Sequence, residues 1–254
     1  MTRIIMHGCN GHMGQTITRL AEAMDDASIV AGIDLTGEQK NDYPVFKTLD
    51  ECTEEADVII DFSSAKAVDG LLDYCEKNQM PLVLCTTGLD EAQIKRVDEV
   101  SKTTSVLRSA NMSLGINTLF KLLEAATGVL APAGFDMEIV EKHHNQKLDA
   151  PSGTALALAD VLKATAGDDH YYVYDRSQVR QKREPKEIGL SAVRGGTIVG
   201  EHEVIFAGED EVITIKHTAY SKAVFGKGAL EAAVFLAGKE PGLYNMQDVI
   251  AARM

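Results

Sequence analysis

Positive charge is in deficit in this chain: 25 lysines and arginines stand against 38 aspartates and glutamates, a formal net charge of −13. A nucleic-acid binder needs a basic face to displace counterions from phosphates, so nucleic acid is not expected as a main partner. Cysteine is also scarce. Cys9, Cys52, Cys75 and Cys85 show no CxxC or metal-ligand spacing, which argues against a disulfide scaffold or a zinc site and for reduced thiols. No uninterrupted apolar run is long enough to span a bilayer, and the apolar stretch of MTRIIMHGCNG is too short for a signal peptide. A cytoplasmic protein without a membrane partner is the expectation. Apolar residues themselves are not lacking. At 45% of 254 residues they can fill the core of one large or two medium domains.

Short β-branched runs alternate with helical patterns through the first part of the chain. Ile4–Met6 precedes a helix over 12–24, Ile29–Ile33 forms the next run, Val58–Ile60 precedes a helix over 64–77, and Leu82–Leu84 precedes one over 90–102. That alternation predicts βαβ units and a parallel, Rossmann-like α/β sheet. Ser63 or Ser64 is placed to cap one helix and Asp90 another. Beyond Asn111 the texture changes to α+β. A helix is expected over 116–127, a turn at 131–134, a strand over 136–140 and a helix over 154–164. Extended runs follow at 171–174, 188–193, 197–206 and 211–219, the last two joined by a hairpin signal at Gly208-Glu209-Asp210. KREPKE (182–187) reads as a mobile charged loop, a helical pattern resumes at Gly228, and Asn245 is placed to cap a final short helix.

Gly8-Cys9-Asn10-Gly11-His12-Met13-Gly14 follows the first strand and opens the first helix. Glycines there permit a tight turn and a close approach of backbone to a pyrophosphate at the helix N-terminus. Asp34 ends the second strand about 20 residues on, where a carboxylate accepts from the adenosine ribose hydroxyls. It would repel a 2′-phosphate, and the next residue is Leu35 rather than a base, so NADH is the expected cofactor; Lys40 leaves NADPH open. Cys85-Thr86-Thr87 and Ala110-Asn111-Met112-Ser113 end later strands and are expected to border the nicotinamide half.

The stretch EKHHNQKLDAPSGTA (141–155) joins the predicted strand to a helix start. His143 and Lys147 are read as a pair of proton donors brought together by a loop, suited to reduction of a C=N or C=C bond. Ser152-Gly153-Thr154 offers hydroxyls and backbone N–H groups as a seat for a carboxylate. No metal site is expected, because adjacent histidines point apart and no HExxH is present.

These motifs resemble those of the dihydrodipicolinate reductase family, which reduces 4-hydroxy-tetrahydrodipicolinate in the diaminopimelate route to lysine. Glu141-x-His143-His144-x-x-Lys147-x-Asp149-x-Pro151-Ser152-Gly153-Thr154-Ala155 carries the family signature. Arg194-Gly195-Gly196, Gly200, His202, Phe206-x-Gly208, Glu211 and His217 extend the agreement over nearly the whole chain. The resemblance implies that His143 is the acid/base residue, Lys147 the proton donor and His144 a substrate contact, with Gly153 and Thr154 on one of two substrate carboxylates. It places Gly8, Cys9, Asn10, Gly11, His12, Met13, Asp34, Cys85, Thr86, Thr87, Ala110, Asn111, Met112 and Ser113 along the cofactor. It also implies a homotetramer, a dinucleotide-binding domain of residues 1–112 with 223–254, and a substrate-binding and oligomerisation domain of residues 113–222. Three positions depart from the family pattern: Cys85 stands where glycine is common, Leu35 where some members have a base, and Lys222 where arginine is common. A same-fold amino-acid dehydrogenase and a non-catalytic dinucleotide sensor are the rival readings. The signature opposes the first, and the intact His143 and Lys147 oppose the second.

Overall fold

A computed structural model describes residues 1–253. In chain order the elements are β1 (Thr2–His7), α1 (His12–Ala21), β2 (Ala27–Ile33), β3 (Val45–Phe46), β4 (Val58–Asp61), α2 (Ala65–Asn78), β5 (Leu82–Leu84), α3 (Glu91–Val100) and β6 (Ser105–Arg108). There follow α4 (Leu114–Leu130), β7 (Asp136–His143), α5 (Gly153–Ala166), β8 (Tyr171–Tyr174), β9 (Glu187–Arg194), β10 (Gly200–Ala207) and β11 (Val212–Ala219). The chain ends with α6 (Ala223–Leu236), β12 (Gly242–Tyr244) and α7 (Met246–Ala251). Two compact units result, one of Met1–Leu114 with the segment from Ala223 onward, the other of Gly115–Lys222.

The first unit is built on a seven-stranded sheet in the order β12-β6-β5-β4-β1-β2-β3, every pairing parallel. Successive side chains of a strand face opposite sides, and the apolar runs divide accordingly. Ile4, Met6, Val58 and Ile60 pack with Ile17 of α1 and Leu230 of α6, while Ile5, Ile59 and Leu82 pack with Leu71 of α2 and Val97 of α3. A sheet covered on both faces explains why its strands read as unbroken apolar runs. The chain leaves β1 on one side and β4 on the other, which makes the β1/β4 boundary the switch point where open parallel sheets bind ligands. Asp90 caps α3 with a full capping box. Ser64 does not behave as expected: it holds the N-cap position of α2 without a side-chain cap bond, and the Ser63 N–H instead donates to Asp61.

Helix α6 begins at Ala223 rather than Gly228. Its glycines punctuate the pattern but serve packing: a Cβ on Gly228 would lie 1.7 Å from the Met112 carbonyl oxygen. Strands β3 and β12 are two and three residues long, too short to show a period, and the Pro-Gly ahead of Leu243 reads as a break.

The second unit has a five-stranded mixed sheet, β11-β10-β7-β9-β8, antiparallel at β11/β10 and β10/β7 and parallel elsewhere. One face buries Met137, Ile139, Ile188, Leu190, Val204 and Phe206 against Leu158 and Leu162 of α5 and Leu119 and Leu123 of α4. The opposite face is charged, with Lys142 and Lys216 each bridging Glu201 and Glu203. KREPKE is anchored rather than free. Arg183 reaches Asp136 at 2.6 Å and Glu138 at 3.1 Å, and Glu187 is buried as the first residue of β9.

Candidate active site

In the first unit the glycine loop closes tightly at the switch point. Gly8 has φ +82°, and a Cβ on it would lie 2.7 Å from the Phe62 carbonyl oxygen; a Cβ on Gly14 would lie 2.4 Å from that of Gly8. Only glycine permits these approaches. Gly11 caps α1 without a side-chain bond, so the helix presents its first N–H groups directly, as a pyrophosphate seat requires. His12 is exposed on the first turn and Met13 is half-buried. Cys9 points the other way. Its thiol is buried and pushed up to about 11, chiefly by that burial, so it offers backbone only. The Asn10 side chain donates to Thr36 and to the Glu38 carbonyl oxygen, which shapes the loop after β2.

Asp34 follows β2, and its carboxylate accepts from Thr36 and from the Asn10 N–H. Burial alone would raise its pKa, yet these bonds more than offset it and hold the group below the usual carboxylate range. It lines a cavity of about 260 Å³ with His7, Gly8, Gly11, Leu35, Lys47, Phe62, Ser63 and Ser64. Lys40 pairs with Glu38 at 3.5 Å, and the base on the cavity wall is Lys47. Sequence reasoning missed Lys47 because β3 delivers it, and two residues leave no periodic signal. Asp61, fully buried at the end of β4, lies 2.8 Å from His7 Nδ1; it too was missed. Cys85-Thr86-Thr87 follows β5, with the Cys85 N–H on the Asp61 carbonyl oxygen. Ala110–Ser113 follows β6 and turns on a bond from the Ser113 N–H to Asn111.

In the second unit the polar cluster gathers at the C-terminal end of β7. Here the strand runs further than the sequence suggests. Glu141, Lys142 and His143 continue it, so His143 is the last strand residue and not part of a loop. The alternation that buries Met137 and Ile139 also turns Glu141 and His143 inward. Glu141 Oε2 is 2.6 Å from His143 Nδ1, while the Arg194 guanidinium takes both oxygens at 2.8 and 2.7 Å. An ionised carboxylate only accepts, which puts the proton on Nδ1 and leaves Nε2 to exchange protons. Gly200 keeps the space beside that nitrogen open, since a Cβ there would stand 3.1 Å from it.

His202, opposite Glu141 on β10, meets the His143 ring edge-on at 5.1 Å between centroids. Burial, then the neighbouring His143, lowers its pKa to about 4. Ser152 is committed rather than free, contrary to the expectation for it. Its hydroxyl caps α5 through the Ala155 N–H and contacts His202 Nε2 at 3.0 Å, and its N–H donates to Glu141. Gly153 and Thr154 open α5 beside it. Lys147 pairs with Asp149 at 2.8 Å, and the Asp149 carboxyl is held low by Lys147 first and by the Gly153 N–H among others. His144, half-buried, opens the turn closed by the Lys147 N–H on its carbonyl oxygen. Among the described residues no group of three or more His, Cys, Asp or Glu side chains could hold a metal ion, and no helix is long and apolar enough to cross a membrane.

The family described as "Dihydrodipicolinate reductase, N-terminus" matches residues 2–112, and "Dihydrodipicolinate reductase, C-terminus" matches residues 115–250. The chain belongs to the dihydrodipicolinate reductase family. Among its relatives, the 4-hydroxy-tetrahydrodipicolinate reductase of Caldanaerobacter subterraneus subsp. tengcongensis is 53% identical over 254 residues, covering 98% of each chain. That of Clostridium novyi is 48% identical over 253 residues and covers 100% of each. The dipicolinate-bound dihydrodipicolinate reductase of Paenisporosarcina sp. TG-14 superposes with a TM-score of 0.81 at 22% identity, over 98% of this chain and 99% of that one. It shares the fold of a parallel-sheet dinucleotide unit and a mixed-sheet second unit, as expected of a dihydrodipicolinate reductase.

Proposed function

We propose that the chain catalyses the NAD(P)H-dependent reduction of 4-hydroxy-tetrahydrodipicolinate to tetrahydrodipicolinate in diaminopimelate and lysine biosynthesis. The observation that carries the reading is the assembly of the EKHHNQKLDAPSGTA residues at one end of β7, with His143 oriented by a buried carboxylate and the start of α5 beside it. The glycine loop, the open start of α1 and Asp34 fit a dinucleotide, which when bound supplies a hydride. The chain's own residues do the rest. Gly153 and Thr154 bind one substrate carboxylate, His144 contacts the substrate, His143 exchanges a proton through Nε2, and Lys147 donates one once the substrate's charge draws it from Asp149. Substrate gains a hydride and a proton and loses water.

The finer readings are these. NADH is the preferred cofactor, because the ionised Asp34 accepts from ribose hydroxyls and repels a 2′-phosphate. Lys47 on the same cavity wall lets NADPH serve as well. The enzyme is cytoplasmic and assembles as a homotetramer through the second unit, whose sheet ends in the eight-residue edge strand β11 with Val212 and Ile213 62% and 39% exposed. Unpaired apolar edges of this kind are usually covered.

Lys147→Ala and Thr154→Ala test the roles apart. The first should lower kcat on the order of 10²-fold or more while NADH affinity stays near wild type. The second should mainly raise the substrate KM. Unchanged turnover in Lys147→Ala would refute the donor role, and an effect of Thr154→Ala on NADH binding alone would refute the carboxylate seat.

A further inference from the structure

We propose that Glu141 is a positioning residue for this reaction: one buried carboxylate fixes both the acid/base histidine and the seat for the substrate carboxylate. The inference rests on the reading of His143 as acid/base residue and of the start of α5 as that seat.

Glu141 is 1% exposed, and all of its acceptor capacity is in use. Oε2 takes His143 Nδ1 at 2.6 Å and Arg194 at 2.8 Å; Oε1 takes Arg194 at 2.7 Å and the Ser152 N–H at 3.0 Å. Each bond has a separate effect. The contact to His143 sets its tautomer and prevents the ring from flipping. The contact to Ser152 ties down the N-cap of α5, and with it the backbone of Gly153 and Thr154. Arg194 supplies the countercharge that lets a carboxylate stay ionised in a buried place, where an unpaired one would be costly. Burial by itself would raise the Glu141 pKa, but the bonds from Arg194, His143 and Ser152 outweigh it and hold the group low.

The geometry follows from the strand. Glu141 and His143 are two apart on β7 and share its inward face, and the register sets Arg194 of β9 beside His143 and His202 of β10 beside Glu141. His202 also feels His217 on β11 and Lys147 in the loop, and Lys147 in turn pairs with Asp149, whose charge Arg194 feels as well. Of the two carboxylates, Glu141 is the one that bonds His143 directly.

The test is a cycle of His143→Gln, Glu141→Gln and the double variant in the full-length enzyme, with kcat and KM measured in each. Misplacing a reacting group by an ångström costs on the order of 10²-fold. Glu141→Gln should lower kcat by about that factor, raise the substrate KM and leave NADH affinity unchanged. In the His143→Gln background it should lower kcat no further. An equal loss in both backgrounds, or a lowered kcat with KM unmoved, would overturn the proposal while leaving His143 its role. If His143→Gln retains full kcat, the parent reading fails and this one with it. Should Glu141→Gln not fold, Glu141→Asp keeps the charge beside Arg194 but withdraws it from His143 by one methylene, and the same outcomes decide.

Discussion

His202 shows how far burial has pushed the chemistry of single residues here. At 4% exposed and with a pKa lowered to about 4, it is neutral at neutral pH and bonds Ser152 as a neutral imidazole. An unfolded histidine titrates near 6.5. Between about pH 6.5 and about pH 4 the unfolded chain therefore binds the extra proton, so the stability contributed by His202 is complete above the upper value and is lost as pH falls through the lower. The slope is roughly 1.4 kcal/mol per pH unit. Denaturant midpoints at about pH 7 and about pH 5 should fall less for His202→Gln than for wild type; equal falls would show that His202 is not the group concerned. His143, Lys147, the glycine loop and Asp34 stand out in the sequence as candidates, because their spacing carries a chemical meaning. Glu141, Arg194 and His202 as working parts of a site were not legible, because each acts through bonds to residues distant in sequence, and Lys47 was not because the two-residue β3 ahead of it shows no period.

Strands and helices set where these residues end up, and the strand ends were the hardest to read. The alternation of β7 continues through Glu141-Lys142-His143, but three charged or titratable residues look like a loop until the inward face is seen to be polar by design of the cluster. Similarly, Gly226 and Gly228 look like a delayed start to α6 and are instead close-packed helix interior. β11 is the element with the clearest prediction. Among the described residues no strand pairs with its outer edge, which carries exposed Val212 and Ile213, so a charge there should discourage association. Wild type should sediment as a tetramer and Ile213→Lys as a smaller species with its fold intact. A wild-type monomer, or an unchanged assembly in the variant, would contradict the role assigned to that strand.

For the molecule as a whole, the change from one kind of sheet to the other is the part that the sequence conveyed best. Apolar runs buried on both faces announced a parallel sheet, and the change of texture beyond Asn111 announced the α+β second unit. The short strands β3 and β12 at the margins of the first sheet escaped, since two or three residues cannot display a period. The central claim is that these units together reduce 4-hydroxy-tetrahydrodipicolinate at the expense of a reduced nicotinamide. The most direct measurement is the loss of NADH or NADPH absorbance by the full-length protein, with the substrate generated in place from pyruvate and aspartate semialdehyde by the preceding enzyme. The account predicts oxidation of both cofactors, with NADH at least as effective as NADPH. A strong preference for NADPH would contradict the reading of Asp34 and Leu35 while sparing the reaction, and no oxidation of either, with cofactor binding intact, would contradict the function itself.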